Sequence, residues 1–221
     1  MTIYLFRHGQ TNDNVDVPDT IYDLEGNFVP SRGKVLSGHN NVSLTIRGVA
    51  EAFNSGVKTR SKKLIDFENM RWIVSPQRRA RQTFGAFLAG ADFVPNASSV
   101  CIDERLRERS AGALEGLTWS QGAEIWPEML KGKDASVFHN LDAAYPAGES
   151  LRDVYIRARR CVAPFVASNE DVFLCCHELT IKAILSMLCC GLLTDDAFKE
   201  KVANATLIAL NGNAFGDFTV N

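Results

Sequence analysis

The stretch Val172-Phe173-Leu174-Cys175-Cys176-His177 decides the fold. Five consecutive apolar residues leave no polar side to turn toward water, so 172–176 reads as a strand covered on both faces, central in a largely parallel sheet. Working outward, 149–166 has the spacing of a helix with Leu151, Val154, Ile156 and Cys161 on its apolar face, and Pro164 is expected to kink or end it. A second helix is expected over 180–192. Residues 205–210 and 215–220 read as a terminal hairpin around Asn211-Gly212-Asn213. Upstream, 2–6 and 71–74 are short strands. A helix over 44–63 places Leu44, Val49, Phe53 and Val57 on one side. Ser75-Pro76 reads as cap and first turn of a helix to about residue 88. A strand follows at 100–102, and 118–139 holds one or two helices broken at Pro127 and Gly132. Strands alternating with helices give an α/β fold with a mainly parallel sheet, in one domain spanning 1–221 without repeats or a linker.

Composition narrows the function classes. Among 221 residues, 46% are apolar and 23% charged, with a net charge of −2, so neither a nucleic-acid partner nor an anionic membrane surface is indicated. The longest apolar run, around 183–193, is shorter than the roughly 18 residues of a membrane span, and no targeting segment is visible. Six cysteines, two adjacent pairs among them, sit in apolar surroundings and read as reduced core residues of a cytoplasmic protein. No CxxC zinc spacing occurs. An anion site must therefore be a local cluster of arginine and histidine.

Three strands end in such groups: Arg7-His8-Gly9 after the first, Ser75 with Arg78-Arg79 after the second, and His177 after 172–176. In parallel α/β sheets ligands bind beyond the carboxyl ends of the strands. An imidazole beside a guanidinium can act as a nucleophile next to an anion clamp. Arginines in a first helical turn can chelate phosphate oxygens, and a carboxylate on the loop 106–116 can serve as general acid and then base. Taken singly, each element also reads as ordinary chemistry: polar residues closing a strand, a solvated basic helix face, a charged surface turn, a satisfied core histidine.

Together and in this order they resemble the histidine phosphatase superfamily, the phosphoglycerate-mutase-like proteins. The matches are Arg7-His8-Gly9-Gln10-Thr11 with Asn14, Leu44-Thr45-Ile46-Arg47-Gly48, Ser75 to Thr83, Leu106 to Gly116, Gly148-Glu149-Ser150, and His177. The resemblance implies a three-layer α/β/α fold with a helical lid insertion. It implies a phosphomonoester hydrolase of the histidine acid phosphatase kind, acting without metal or cofactor. In it His8 becomes phosphorylated, Glu108 is the general acid and base, His177 completes the catalytic set, and Arg7, Arg79, Thr11, Asn14 and His177 bind phosphate. The implied substrate is a phosphorylated small molecule or phosphoprotein, and a homodimer is one expected state. Alternatives are a cofactor-dependent phosphoglycerate mutase and a phosphate-binding module without activity.

The sequence departs from the family pattern in three places. Glu178 stands where relatives carry glycine, a rival to Glu108 as proton donor. The acid loop reads Glu108-Arg109-Ser110-Ala111, and His177-Glu178-Leu179 follows the second histidine; neither matches the mutases. An insertion at about 15–37 could fold over the pocket or remain a solvated loop. The region of about 111–147, with Trp119, Trp126, Phe138 and Tyr145, is the expected lid, its aromatics more often core than ligand-contacting.

Overall fold

The computed structural model describes residues 1–15, 21–29, 34–130 and 140–220. Its main sheet has six strands: β1 (Thr2–Arg7), β4 (Arg71–Val74), β5 (Val100–Ile102), β6 (Val172–Cys176), β7 (Leu207–Asn211) and β8 (Thr219–Val220), in the order β5-β4-β6-β1-β7-β8. The first four in that order run parallel; β7 and β8 are antiparallel additions on one edge. A separate hairpin, β2 (Ile21–Tyr22) with β3 (Phe28–Val29), lies within the 15–37 insertion. As expected from its unbroken apolar run, β6 is central and fully buried.

Alternation along the strands builds two cores. Ile3, Leu5, Leu174 and Cys176 face one side, against helices α5 (Leu151–Ser168) and α6 (Glu178–Cys190). Tyr4, Phe6, Trp72 and Phe173 face the other, against α2 (Arg78–Gly90). Phe6, Phe87, Trp72 and Phe173 form a continuous aromatic cluster there, with ring centroids 4.9–5.6 Å apart, each pair adding to the area it buries. Helices on both faces make the three-layer arrangement. Leu36, Leu114, Leu130 and Tyr145 form a third, smaller cluster with α3 (Trp119–Ile125) and α4 (Pro127–Leu130). The part of the expected lid at 131–139, with Phe138, lies outside the described residues. Among the described residues no helix is long and apolar enough to cross a membrane.

Several local readings change. Helix α1 (Ile46–Ser61) buries Gly48, Ala52, Gly56 and Thr59, while Phe53 and Val57 are exposed. Its contact face is small because it lies backbone to backbone on α2: a Cβ on Gly56 would sit 2.0 Å from the Phe87 carbonyl oxygen. Helix α2 starts at Arg78 with Gln77 at the N-cap position and no side-chain cap, and the Ser75 hydroxyl is engaged by His177 instead. Pro164 does not end α5. Proline removes the N–H that residue 160 would bond, and Arg105 Nη1 supplies it instead, 2.7 Å from the Arg160 carbonyl. Ile156 is exposed and Ala158 and Val162 take its place in the core. Cys161, Cys175 and Cys176 are buried as expected, but Cys101 and Cys190 are exposed.

Candidate active site

The register of the parallel strands sets the site. Phe6 pairs with Cys175 and Arg7 with Cys176 on one side, and Val74 with Cys175 on the other, so the residues leaving β1, β4 and β6 emerge side by side. The ladder continues one step further: the His8 N–H donates to the Cys176 carbonyl (3.0 Å) and the Ser75 N–H to the Cys175 carbonyl (2.9 Å). The His8 and His177 rings are consequently 5.1 Å apart, centroid to centroid. Gly9 is required by close approach: a Cβ there would meet the Gly48 carbonyl oxygen at 2.3 Å. This crowding ties the strand end to the start of α1.

The His8 ring is oriented by its own backbone. Nδ1 lies 2.8 Å from the Gly9 carbonyl oxygen. A carbonyl only accepts, so Nδ1 carries the proton and Nε2 keeps its lone pair. Burial, then the charges of Arg79 and Arg7, push the imidazole well below its usual range. Arg7 donates through Nη1 to the Val202 carbonyl and pairs with Glu178 Oε2 at 3.0 Å. Its Nε, equally buried, has no hydrogen-bond partner among the described residues.

Arg79 is almost fully buried, which pushes its guanidinium down to about 10 and leaves it charged at neutral pH. Its Nη1 and Nη2 donate to the Asn40 and Gly38 carbonyls (2.8 and 3.0 Å) and its Nε–H to His177 Nδ1 (3.2 Å). A guanidinium has five N–H groups, so one on each terminal nitrogen stays uncommitted. His177, accepting at Nδ1, donates from Nε2 to Ser75 Oγ at 2.8 Å. It is fully buried behind His8 and Arg79, with both ring nitrogens engaged, rather than on the cavity wall.

Glu108 lines the cavity. Its Oε1 accepts from the Arg109 N–H (2.8 Å), and its Oε2 stands 3.4 Å from the Leu179 N–H. Its loop is held by residues that the sequence did not single out. Gln77, fully buried, donates to the Gly38 carbonyl (2.8 Å) and accepts from the Glu108 N–H (2.7 Å). Arg157 on α5 donates to the carbonyls of Arg105, Arg107 and Glu108 while paired with Glu149. Gln77 lay within the motif that flagged Arg79; nothing in the spacing of Arg157, Arg159 and Arg160 separated the first from its neighbours.

Asn14 lies on the cavity wall, but Thr11 does not. Thr11 is fully buried and donates through its hydroxyl to Asn14 Oδ1 (2.9 Å), so it aims Asn14 rather than facing the cavity. Glu178 faces the cavity with both oxygens on cations, Oε2 on Arg7 and Oε1 on Lys182 Nζ (3.0 Å each). The cavity holds about 560 Å³, and Leu36, Trp119, Tyr145 and Phe198 form its apolar walls. Of the three described aromatics expected in the lid, Trp119 and Tyr145 thus face the cavity. Among the described residues no group of His, Cys, Asp and Glu is placed to hold a metal ion.

A nitrogen lone pair, two guanidiniums with spare donors and a carboxylate around one cavity can bind a dianion and attack it. The fold and these motifs define a phosphoryl-transfer protein, and the chain belongs to the histidine phosphatase superfamily (branch 1), whose sequence model matches residues 3–216. A 2,3-bisphosphoglycerate-dependent phosphoglycerate mutase 2 of Gloeobacter violaceus is 27% identical over 98% of this chain and 88% of its own length. The fold is shared with a mycobacterial glucosyl-3-phosphoglycerate phosphatase in complex with VO3 (TM-score 0.74, 23% identity, 100% of this chain and 96% of that one). It is shared too with a putative alpha-ribazole-5'-P phosphatase from Escherichia coli (TM-score 0.72, 20% identity, 100% and 94%).

Proposed function

We propose that the chain is a cytoplasmic phosphomonoesterase working through a phosphohistidine on His8. The observation that carries this is the Nδ1–H bond of His8 to the Gly9 carbonyl: it fixes the tautomer that leaves Nε2 free to attack. Nε2 bonds to phosphorus as the ester P–O bond breaks, and the departing oxygen takes a proton from Glu108. The Glu108 carboxylate then accepts a proton from water, whose oxygen displaces the imidazole and releases inorganic phosphate. Spare donors of Arg7 and Arg79 neutralise charge on the phosphoryl oxygens, the role that supplies most of the rate in phosphoryl transfer. His177 orients Arg79 and backs the His8 ring. Glu178 is not the proton donor in this scheme, since a cation holds each of its oxygens.

The test compares two leaving groups. Wild-type protein should hydrolyse both p-nitrophenyl phosphate and an alkyl phosphate. Glu108→Gln should slow the alkyl ester on the order of 10²-fold or more and the p-nitrophenyl ester far less, since nitrophenolate departs without a proton. Equal losses would remove Glu108 from the acid role, and absence of phosphate release from either ester would remove the reading itself.

The pH dependence follows from the His8 surroundings. Its folded-state proton affinity is lowered, and only the neutral ring attacks, so the acid limb of kcat/KM set by His8 falls below the ordinary imidazole value of about 6.5. A pH–rate profile with that limb at or above 6.5 contradicts the assignment.

The mutase relatives give a second reading, in which the phosphoryl group returns to a sugar acid. Isomerisation of 3-phosphoglycerate in the presence of 2,3-bisphosphoglycerate distinguishes the two. We favour hydrolysis because Ser110-Ala111 and Glu178-Leu179 replace the residues typical of mutases.

A further inference from the structure

We infer that Glu178 makes the site selective for phosphomonoesters whose leaving group bears no second negative charge. The inference rests on the phosphomonoesterase reading and names the substrate class for it. Glu178 occupies the first turn of α6, directly after His177. Its carboxylate bridges Arg7 and Lys182 at 3.0 Å each, with side-chain exposures of only 6% for Arg7 and 8% for Lys182. Arg7 belongs to the phosphate clamp. Lys182, one helical turn further along, faces the same cavity and is the ammonium to which a substrate carboxylate beside the phosphate would turn. Glu178 already supplies that carboxylate.

Besides the phosphate clamp of Arg7 and Arg79 and the paired Lys182, the cavity wall carries two cations among the described residues, each with a partner of its own. Lys199 pairs with Asp196 at 2.5 Å. The Arg109 guanidinium donates to the Glu149 and Ala143 carbonyls and lies 4.0 Å over the Tyr145 ring. An anionic leaving group thus finds Lys182 and Arg109 already partnered and the carboxylates of Glu178 and Asp195 on the same wall. An uncharged one meets Trp119, Tyr145 and Phe198. Like charges in a partly desolvated site repel more strongly than in water, and a repulsive element of this kind is how binding sites reject near-isosteres.

Glycerol 3-phosphate and 3-phosphoglycerate test the inference, because they differ by a hydroxymethyl group against a carboxylate at the same position. Wild-type protein should prefer glycerol 3-phosphate in kcat/KM. Glu178→Gln should lower that preference about tenfold, chiefly through KM for 3-phosphoglycerate, while Glu178→Asp, which keeps the charge, should retain it. A merely structural role for Glu178 would change both esters together and leave the ratio unmoved. Calorimetric binding of the same two esters to His8→Ala and to His8→Ala/Glu178→Gln reads the preference without turnover. A failure of hydrolysis is thereby told apart from a failure of charge selection. Equal wild-type affinity for the two esters, or an unchanged preference in Glu178→Gln, would overturn the inference.

Discussion

Replacement of His8 by alanine is expected to lower kcat/KM for p-nitrophenyl phosphate by on the order of 10⁴-fold or more, the usual consequence of deleting a covalent nucleophile. The size follows from the geometry. The His8 ring is buried and neutral, and its tautomer is fixed by the Gly9 carbonyl. No other nitrogen lone pair at the strand ends is free: His177 Nδ1 is bound to Arg79 and its Nε2 proton to Ser75. Among the described residues at these strand ends, removing His8 therefore leaves no imidazole lone pair to substitute for it. Rapid quench of wild-type protein with radiolabelled substrate should trap an acid-labile phosphoprotein that His8→Ala lacks. A variant retaining a tenth of the wild-type rate, or a trapped phosphate stable to acid, would end the assignment.

Arg79→Lys is expected to cost on the order of 10²- to 10³-fold in kcat/KM. Charge alone does not do the work of Arg79. Its guanidinium simultaneously binds the carbonyls of Gly38 and Asn40 and the Nδ1 of His177, and still has donors to offer. An ammonium has three protons and no planar fork, so it must abandon either the loop or the phosphate. Inhibition by vanadate should weaken in parallel with catalysis, whereas a purely structural defect would lower the amount of active protein and leave the inhibition constant of the remainder unchanged. Activity within tenfold of wild type would show that Arg79 is not a clamp.

The strands and the ends of the strands were legible because hydrophobic burial and polar exit are local properties. Val172–Cys176 announces a covered strand in five residues, and Arg7-His8 and His177 announce where strands stop. What the sequence misplaced depended on a partner. The exposed Phe53 and Val57 looked like a buried face, since the pattern of apolar residues does not show that α1 meets α2 through glycine. Pro164 looked like a terminator because the donor that repairs its helix, Arg105, lies more than fifty residues away. Thr11 looked like a phosphate ligand, although its hydroxyl is committed to Asn14. Gln77 and Arg157 act only through contacts with the Glu108 loop, and such contacts leave no mark on spacing.

Residues 202–211 hold the end of β1 in place. The His8 carbonyl accepts from the Ala205 N–H (3.2 Å) and Asn204 Nδ2 (3.0 Å), the Arg7 N–H donates to Thr206, and its side chain to Val202; β1 itself sits between β6 and β7. His8 therefore cannot be aimed until residues 202–211 have docked against β1. Chemistry waits for β7, and closing a loop of nearly two hundred residues makes that docking a late, slow event in folding.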